Sequence, residues 1–185
     1  MALGFAGQIS FLMIVIMMGV TVGAVALVAR AHGARARDRV QHLLQQSVQL
    51  TLIVGVVAGA LGVAITRPLL WMLGATPAVE DAAYTYLAPL MAATVIGYLN
   101  ILFGAVLRGV GNTRLALFAA IVVNLLNVLL NTVLIFGMGP VPALGLAGAA
   151  WGTILAQLVG VLLTVYLLRR GAEPWFVLTG DTLFV

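Results

Sequence analysis

Asn124, Asn127 and Asn131 stand at i, i+3 and i+7 inside an otherwise apolar stretch, Leu115–Phe136. At about 100° per residue, a helix returns all three to one narrow stripe. Each amide offers both donors and an acceptor. Placed in hydrocarbon, such a stripe has two readings. It is a polar lining that hydrogen-bonds a substrate, an ion's coordination shell or a water chain. Alternatively it is glue between neighbouring helices, at roughly 0.6–2 kcal/mol per bond. Spacing does not choose between them. Thr153 poses the same question: it lines a cavity, or it bonds locally where Gly148 and Gly152 let another helix approach.

Other polar residues in apolar surroundings are Tyr98 and Asn100, which serve either a pathway or packing. Tyr84 and Tyr86 lie closer to the run's edge, where interfacial aromatics are expected. Gln8 and Ser10 sit near the outer end of the first run, and interfacial polarity accounts for them. Gly19 and Gly23 repeat the small-xxx-small spacing, a weak signal in a chain with 21 glycines.

Other chemistries lack their residues. There is no Cys, so disulfides, thiolate metal sites and a thiol nucleophile are all excluded. His32 and His42 have no second ligand at a metal spacing and are expected to be solvated surface groups. A Gly-Lys-Ser/Thr phosphate loop, His-Glu-x-x-His, a nucleophile elbow and paired carboxylates within an apolar run are all missing. Glu80 and Asp81 are adjacent before a helical stretch, where they suit the positive end of the helix as capping charges. Nothing in the chain reads as an enzyme, and no cofactor is expected.

The elements that position these residues are membrane spans. The chain is 63% hydrophobic and 8% charged, far from the roughly 45–50% and 25% of soluble domains. None of its nine Arg and five acidic residues falls inside the five long apolar runs Gly4–Ala29, Leu43–Thr66, Ala82–Leu107, Leu115–Phe136 and Leu144–Leu168. Each is long enough to cross about 30 Å of hydrocarbon. The fold class is therefore all-α, a polytopic helical bundle of about five transmembrane helices, with the lipid bilayer as its first partner. The first run is too long for a signal-peptide core, which spans about 7–15 residues.

Charge asymmetry sets the orientation. Arg30, Arg35, Arg37 and Arg39 follow the first run, Arg108 and Arg114 the third, and Arg169 and Arg170 the fifth. The intervening loops carry Arg67 against Glu80 and Asp81, and then no charge from Gly137 to Ala143. By the positive-inside rule the Arg-bearing gaps face the cytoplasm, the N-terminus faces outward and the C-terminus faces inward. The basic residues are spread over loops without an aromatic platform, so no nucleic-acid partner is expected. An outward N-terminus without a signal sequence calls for one more helix upstream, and the chain reads as a fragment. Gln41, Gln45, Gln46, Ser47 and Gln49 form a polar entry to the second span, continuing from the Arg-rich loop.

At one junction, Leu107-Arg108-Gly109-Val110-Gly111-Asn112-Thr113-Arg114, glycines permit a tight turn and Asn or Thr can cap the next helix. Three further stretches complete an ordered set: Asn127 through Gly137, Gly145 through Ala150, and Val22-Gly23 through Ala34. In order and spacing, the set resembles the multidrug and toxic compound extrusion (MATE) family.

The resemblance implies helices two to six of a twelve-helix transporter, part of a six-helix N-terminal lobe. Residues 1–170 would form the partial bundle and 171–185 a cytoplasmic tail or inter-lobe linker. It implies export of organic cations and drugs against a proton or sodium gradient, in a cell membrane, with a bacterial inner membrane expected. Helix one and the C-terminal lobe would be the missing partners. The family's polar site maps onto Asn127, Asn131 and Thr153, with Asn124 on the same stripe and Tyr86 near a cavity Tyr. Asn131 stands where many proton-linked members have Asp, and an amide cannot bind and release a proton. Two alternatives remain: a lipid-linked oligosaccharide flippase of the same superfamily, against which the absence of Arg and Lys from the spans counts, and a non-transporting membrane assembly subunit.

Overall fold

A computed structural model describes residues 2–72, 74–138 and 142–176, without side chains for residues 2–10, 12–14 and 16. Among the described residues there are six helices and no strand: α1 Ala2–Gly33, α2 Arg37–Met72, α3 Pro77–Ala92, α4 Thr94–Gly109, α5 Thr113–Phe136 and α6 Gly145–Arg169. By length and composition α2, α5 and α6 each suffice to cross a membrane, and α3 and α4 together are long and apolar enough for a fourth crossing but are bent at their junction. The part of α1 whose side chains are described throughout, Met17–Gly33, is a shorter apolar helix. Gln8 and Ser10 lie outside the described side chains.

The third run is thus not one continuous span. Its two halves meet at 55°. Pro89 lacks the N–H that would bond one turn back, and one turn later Ala93 leaves helical geometry at φ −93°, ψ 9°. The break is seated on α2. A Cβ on Gly59 would come within 2.6 Å of the Met91 carbonyl oxygen, and one on Gly55 within 2.8 Å of the Val95 Cα. The second run lies within the unbroken 36-residue α2, whose first turns are the polar Gln-rich entry.

Among the described residues α2 packs on α1, α3 and α4, while α5 packs on α4 and α6 alone. The core includes Val28, Val40, Leu44, Leu87, Leu102, Val106 and Phe176, each at most 1% exposed. The other face of α5 presents Leu117, Phe118, Ile121, Leu125, Val128 and Leu129 outward. In water such a face would be an aggregation liability, whereas in a bilayer it meets a solvent as apolar as itself. This is a multi-pass membrane bundle.

Four local expectations meet the structure, and the first is corrected. Gly19 and Gly23 are not a packing face, since a Cβ on either would find open space; the helix-approach glycines of the N-terminal half are those of α2. His32 is half-buried, its ring packed edge-to-face with that of Trp175 at a centroid distance of 4.6 Å. Glu80 lies in the first turn of α3, but its carboxylate and that of Asp81 are engaged by Arg67 at 3.1 and 3.3 Å. Arg67 also stacks 4.4 Å from the Tyr84 ring centre, so this pair builds an ion cluster as well as favouring the helix end. Within the expected cytoplasmic tail or inter-lobe linker, residues 171–176 are packed onto the bundle: Trp175 lies against the core and Phe176 belongs to it. Residues 177–185 lie outside the described residues.

Candidate polar site between α5 and α6

The site begins with missing side chains. α5 and α6 form an antiparallel pair, and Gly148 and Gly152 present bare backbone to α5. A Cβ on Gly148 would collide with the Leu134 carbonyl; one on Gly152 would collide with Asn131 Oδ1 and lie 3.0 Å from the Asn131 backbone N. The expected small-residue contact is therefore present, and it is made to α5. Close approach brings short polar side chains into reach across the interface.

Three of the expected residues join into a directional chain. Asn131 Nδ2 donates to Asn127 Oδ1 at 3.2 Å, and Asn127 Nδ2 donates to Thr153 Oγ1 at 3.1 Å. Thr153 Oγ1 then donates to the Ala149 carbonyl one turn back, at 2.9 Å. Each link orients the next, because an amide that donates with nitrogen must present its oxygen on the other side. The chain ends at Asn131 Oδ1, a buried oxygen that accepts no hydrogen bond among the described residues. Such an orphan acceptor costs about 1–3 kcal/mol unless a donor or cation meets it.

Asn124 does not join this chain. It is exposed, and its Nδ2 donates to the Ala120 carbonyl of its own helix at 2.7 Å. It lines a separate cavity of about 290 Å³ with Asn100, Arg108 and Thr164. Tyr86 is half-buried against the apolar core, on a helix that contacts α6 but not α5. No hydrogen bond among the described residues connects it to the triad.

Sequence reasoning left Asn100 unassigned and passed over Gln157. Asn100 Nδ2 donates to the Gln157 carbonyl of α6 at 2.6 Å, and both residues line a second cavity of about 290 Å³ beside the α3–α4 break. The signal was present: Thr153, Gln157, Gly160 and Thr164 recur at i, i+4, i+7 and i+11, one face of α6. A Cβ on Gly160 would fall 2.8 Å from Asn100 Oδ1, so here too glycine makes room for an amide. The site is a polar seam running along α6, faced by α5 at one level and by α4 at the other.

Comparison with known proteins places this chain in a family. The chain is 30% identical over 175 residues to a probable multidrug resistance protein NorM of Thermotoga maritima, covering 92% of this chain and 37% of that protein. It is 28% identical over 164 residues to the probable multidrug resistance protein YoeA of Bacillus subtilis, covering 89% and 35%. An FAD transporter of Shewanella oneidensis is 31% identical over 173 residues, covering 90% and 37%. The chain thus spans little more than a third of the length of these relatives. Among solved structures, MATE in the bent conformation superposes with a TM-score of 0.88 at 27% identity, covering 97% of this chain and 39% of that one. The outward-facing conformation of a multidrug resistance MATE family transporter of the MOP superfamily gives 0.87 at 26% identity, covering 98% and 40%. The MatE family model matches residues 2–133, and the chain belongs to the MatE family of membrane transporters, not to an enzyme family.

Proposed function

We propose that this chain is most of the N-terminal lobe of a secondary active exporter of organic cations and drugs, driven by a proton or sodium gradient. Helix one and a second lobe would complete the transporter in a bacterial inner membrane. The Arg-rich end would face the cytoplasm by the positive-inside rule. Membership of the MatE family supports the class, and the names of the multidrug resistance relatives support the substrates.

The observation that carries the reading is the open end of the hydrogen-bond chain. Among the described residues Asn131 Oδ1 and Thr51 Oγ1 are the buried side-chain oxygens without a partner, and Asn131 Oδ1 is the one that terminates a hydrogen-bond chain where Gly152 presents bare α6 backbone to α5. On this reading Asn131 Oδ1 would receive a donor or cation during transport. An amide does not titrate, so Asn131 would serve as a hydrogen-bonding partner to substrate or to an acid elsewhere in the transporter, and that acid would exchange the coupling ion. Alternating access would move the lobe as a largely rigid bundle.

The test is dye efflux by the full-length protein carrying Asn131→Leu, reconstituted with an imposed proton or sodium gradient. Loss of gradient-driven efflux with intact folding is expected. Wild-type export and coupling would remove Asn131 from the mechanism.

A further inference from the structure

Beyond the polar seam, the short segment after α6 gathers hydrogen bonds from distant parts of the chain. Gly171, at φ +79°, ends α6 in the left-handed conformation that glycine adopts without penalty. Its N–H and that of Ala172 bond back to the Leu168 and Leu167 carbonyls, and the chain turns across the end of the bundle. Gly111, at φ +87°, ends α4 in the same way, and this places Asn112 opposite the turned segment.

Asn112 works in two directions at once. Its Oδ1 accepts from the Leu115 backbone N–H at 3.1 Å, capping α5. Its Nδ2 donates to Glu173 Oε2 at 2.8 Å and to the Ala172 carbonyl at 3.3 Å. The other oxygen of Glu173 accepts from the Trp175 backbone N–H at 3.3 Å. Glu173 is 6% exposed. It has no cation within ion-pair distance among the described residues, at an end of the bundle that carries eight of the nine Arg. A buried carboxylate is stable only when its lone pairs are met, and here two N–H donors meet it with charge-assisted bonds.

The same segment also holds the α1–α2 turn. Arg37 Nη2 donates to the Pro174 carbonyl at 2.6 Å, and Trp175 packs edge-on against His32. Phe176 closes the segment at 1% exposure. Contacts 61 and 137 residues apart in sequence therefore meet in six residues.

We infer that Gly171–Phe176 is a strap that binds the α1–α2 and α4–α5 turns into one rigid rim, with Glu173 as its positioning residue. The Arg-rich end of the bundle then moves as a single body. For its purpose in transport this rests on the exporter reading; its existence does not.

The test is amide hydrogen exchange on the full-length protein in lipid nanodiscs. Glu173→Gln keeps the shape but turns an NH₂ toward a donor, and Glu173→Ala removes both bonds. In each variant the amides of Ala36, Asn112 and Phe176 are expected to exchange at least about tenfold faster, equivalent to about 1.4 kcal/mol of local opening. Those of Gly74 and Ala75, in the turn at the opposite end, should be unchanged. Arg37→Ala should loosen Ala36 and Phe176 but leave the Leu115 cap protected. Faster exchange at both ends would show general loosening and overturn the strap, as would unchanged exchange in both Glu173 variants. In efflux, Glu173→Gln should lower the maximal rate at an unaltered half-saturating dye concentration, because no hydrogen bond among the described residues joins the strap to the Asn131–Asn127–Thr153 chain. An altered half-saturation without altered exchange would equally refute it. If Asn131→Leu left export intact while the exchange pattern held, the exporter mechanism would fail and the strap would stand.

Discussion

Gly152→Ala tests the contact on which the polar seam depends. The added Cβ would lie 3.0 Å from the Asn131 backbone N and 3.2 Å from the Leu130 carbonyl carbon, and it would collide with Asn131 Oδ1. Non-bonded heavy atoms prefer about 3.5–4.0 Å, so α5 and α6 must separate by roughly 0.5–1 Å. The Asn127–Thr153 bond, at 3.1 Å, would then stretch to or past about 3.6 Å, where it no longer counts as a hydrogen bond. Overpacking costs about 1–3 kcal/mol, and a lost interhelical bond in a membrane costs about 0.6–1.7 kcal/mol. The expected destabilisation is about 2–4 kcal/mol. Gly23→Ala is the control: its Cβ enters open space, and replacing a helical glycine there should stabilise by up to about 1 kcal/mol. Reversible unfolding in mixed micelles, followed by tryptophan fluorescence, measures both. Asn131→Ala in the Gly152→Ala background should recover only part of the loss, because the backbone N contact persists. The reasoning fails if Gly152→Ala is as stable as the parent, or if both glycine variants shift stability in the same direction.

Thr153→Val leaves Asn127 Nδ2 without its acceptor and should cost about 1–2 kcal/mol, whereas Thr153→Ser keeps the hydroxyl and should stay within about 0.5 kcal/mol; equal losses in unfolding would show that the hydroxyl is not the link. Arg35 ends α1 at φ +54°, a conformation costing a residue with a Cβ about 1–2 kcal/mol. Arg35→Gly should therefore stabilise by about 0.5–1 kcal/mol after the added freedom of the unfolded chain, and a lower unfolding midpoint would contradict this. Arg67→Gln removes an exposed ion cluster and should cost less than about 1 kcal/mol, a difference that shrinks in high salt; a larger, salt-insensitive loss would show that the cluster is buried in the membrane-embedded protein.

Much of this molecule was legible in one dimension because its governing rules act locally. A charged residue is expelled from hydrocarbon wherever it occurs, so the Arg and acid positions outlined the apolar runs without knowledge of any contact. Helical periodicity likewise placed Asn127 and Asn131 on one face, and they do bond to each other. The glycine turn with Asn112 as cap was readable for the same reason.

Periodicity stops at the surface of a single helix. Asn124 shares the stripe of Asn127 and Asn131, yet only the latter two meet α6 at the level of Thr153, and that level is set by where Gly148 and Gly152 admit α5. The glycine spacing is the same at Gly19 and Gly23, where nothing among the described residues approaches. Small residues permit close packing but do not summon a partner. The bend after Pro89, the pairing of Asn100 with Gln157 and the strap at Glu173 all join residues on different helices or turns. The sequence by itself determined that helices cross a membrane and which residues they keep from it. Only the tertiary structure decided which polar groups find each other, because that depends on helix levels and crossing points to within about 1 Å, far finer than a repeat of 3.6 residues can specify.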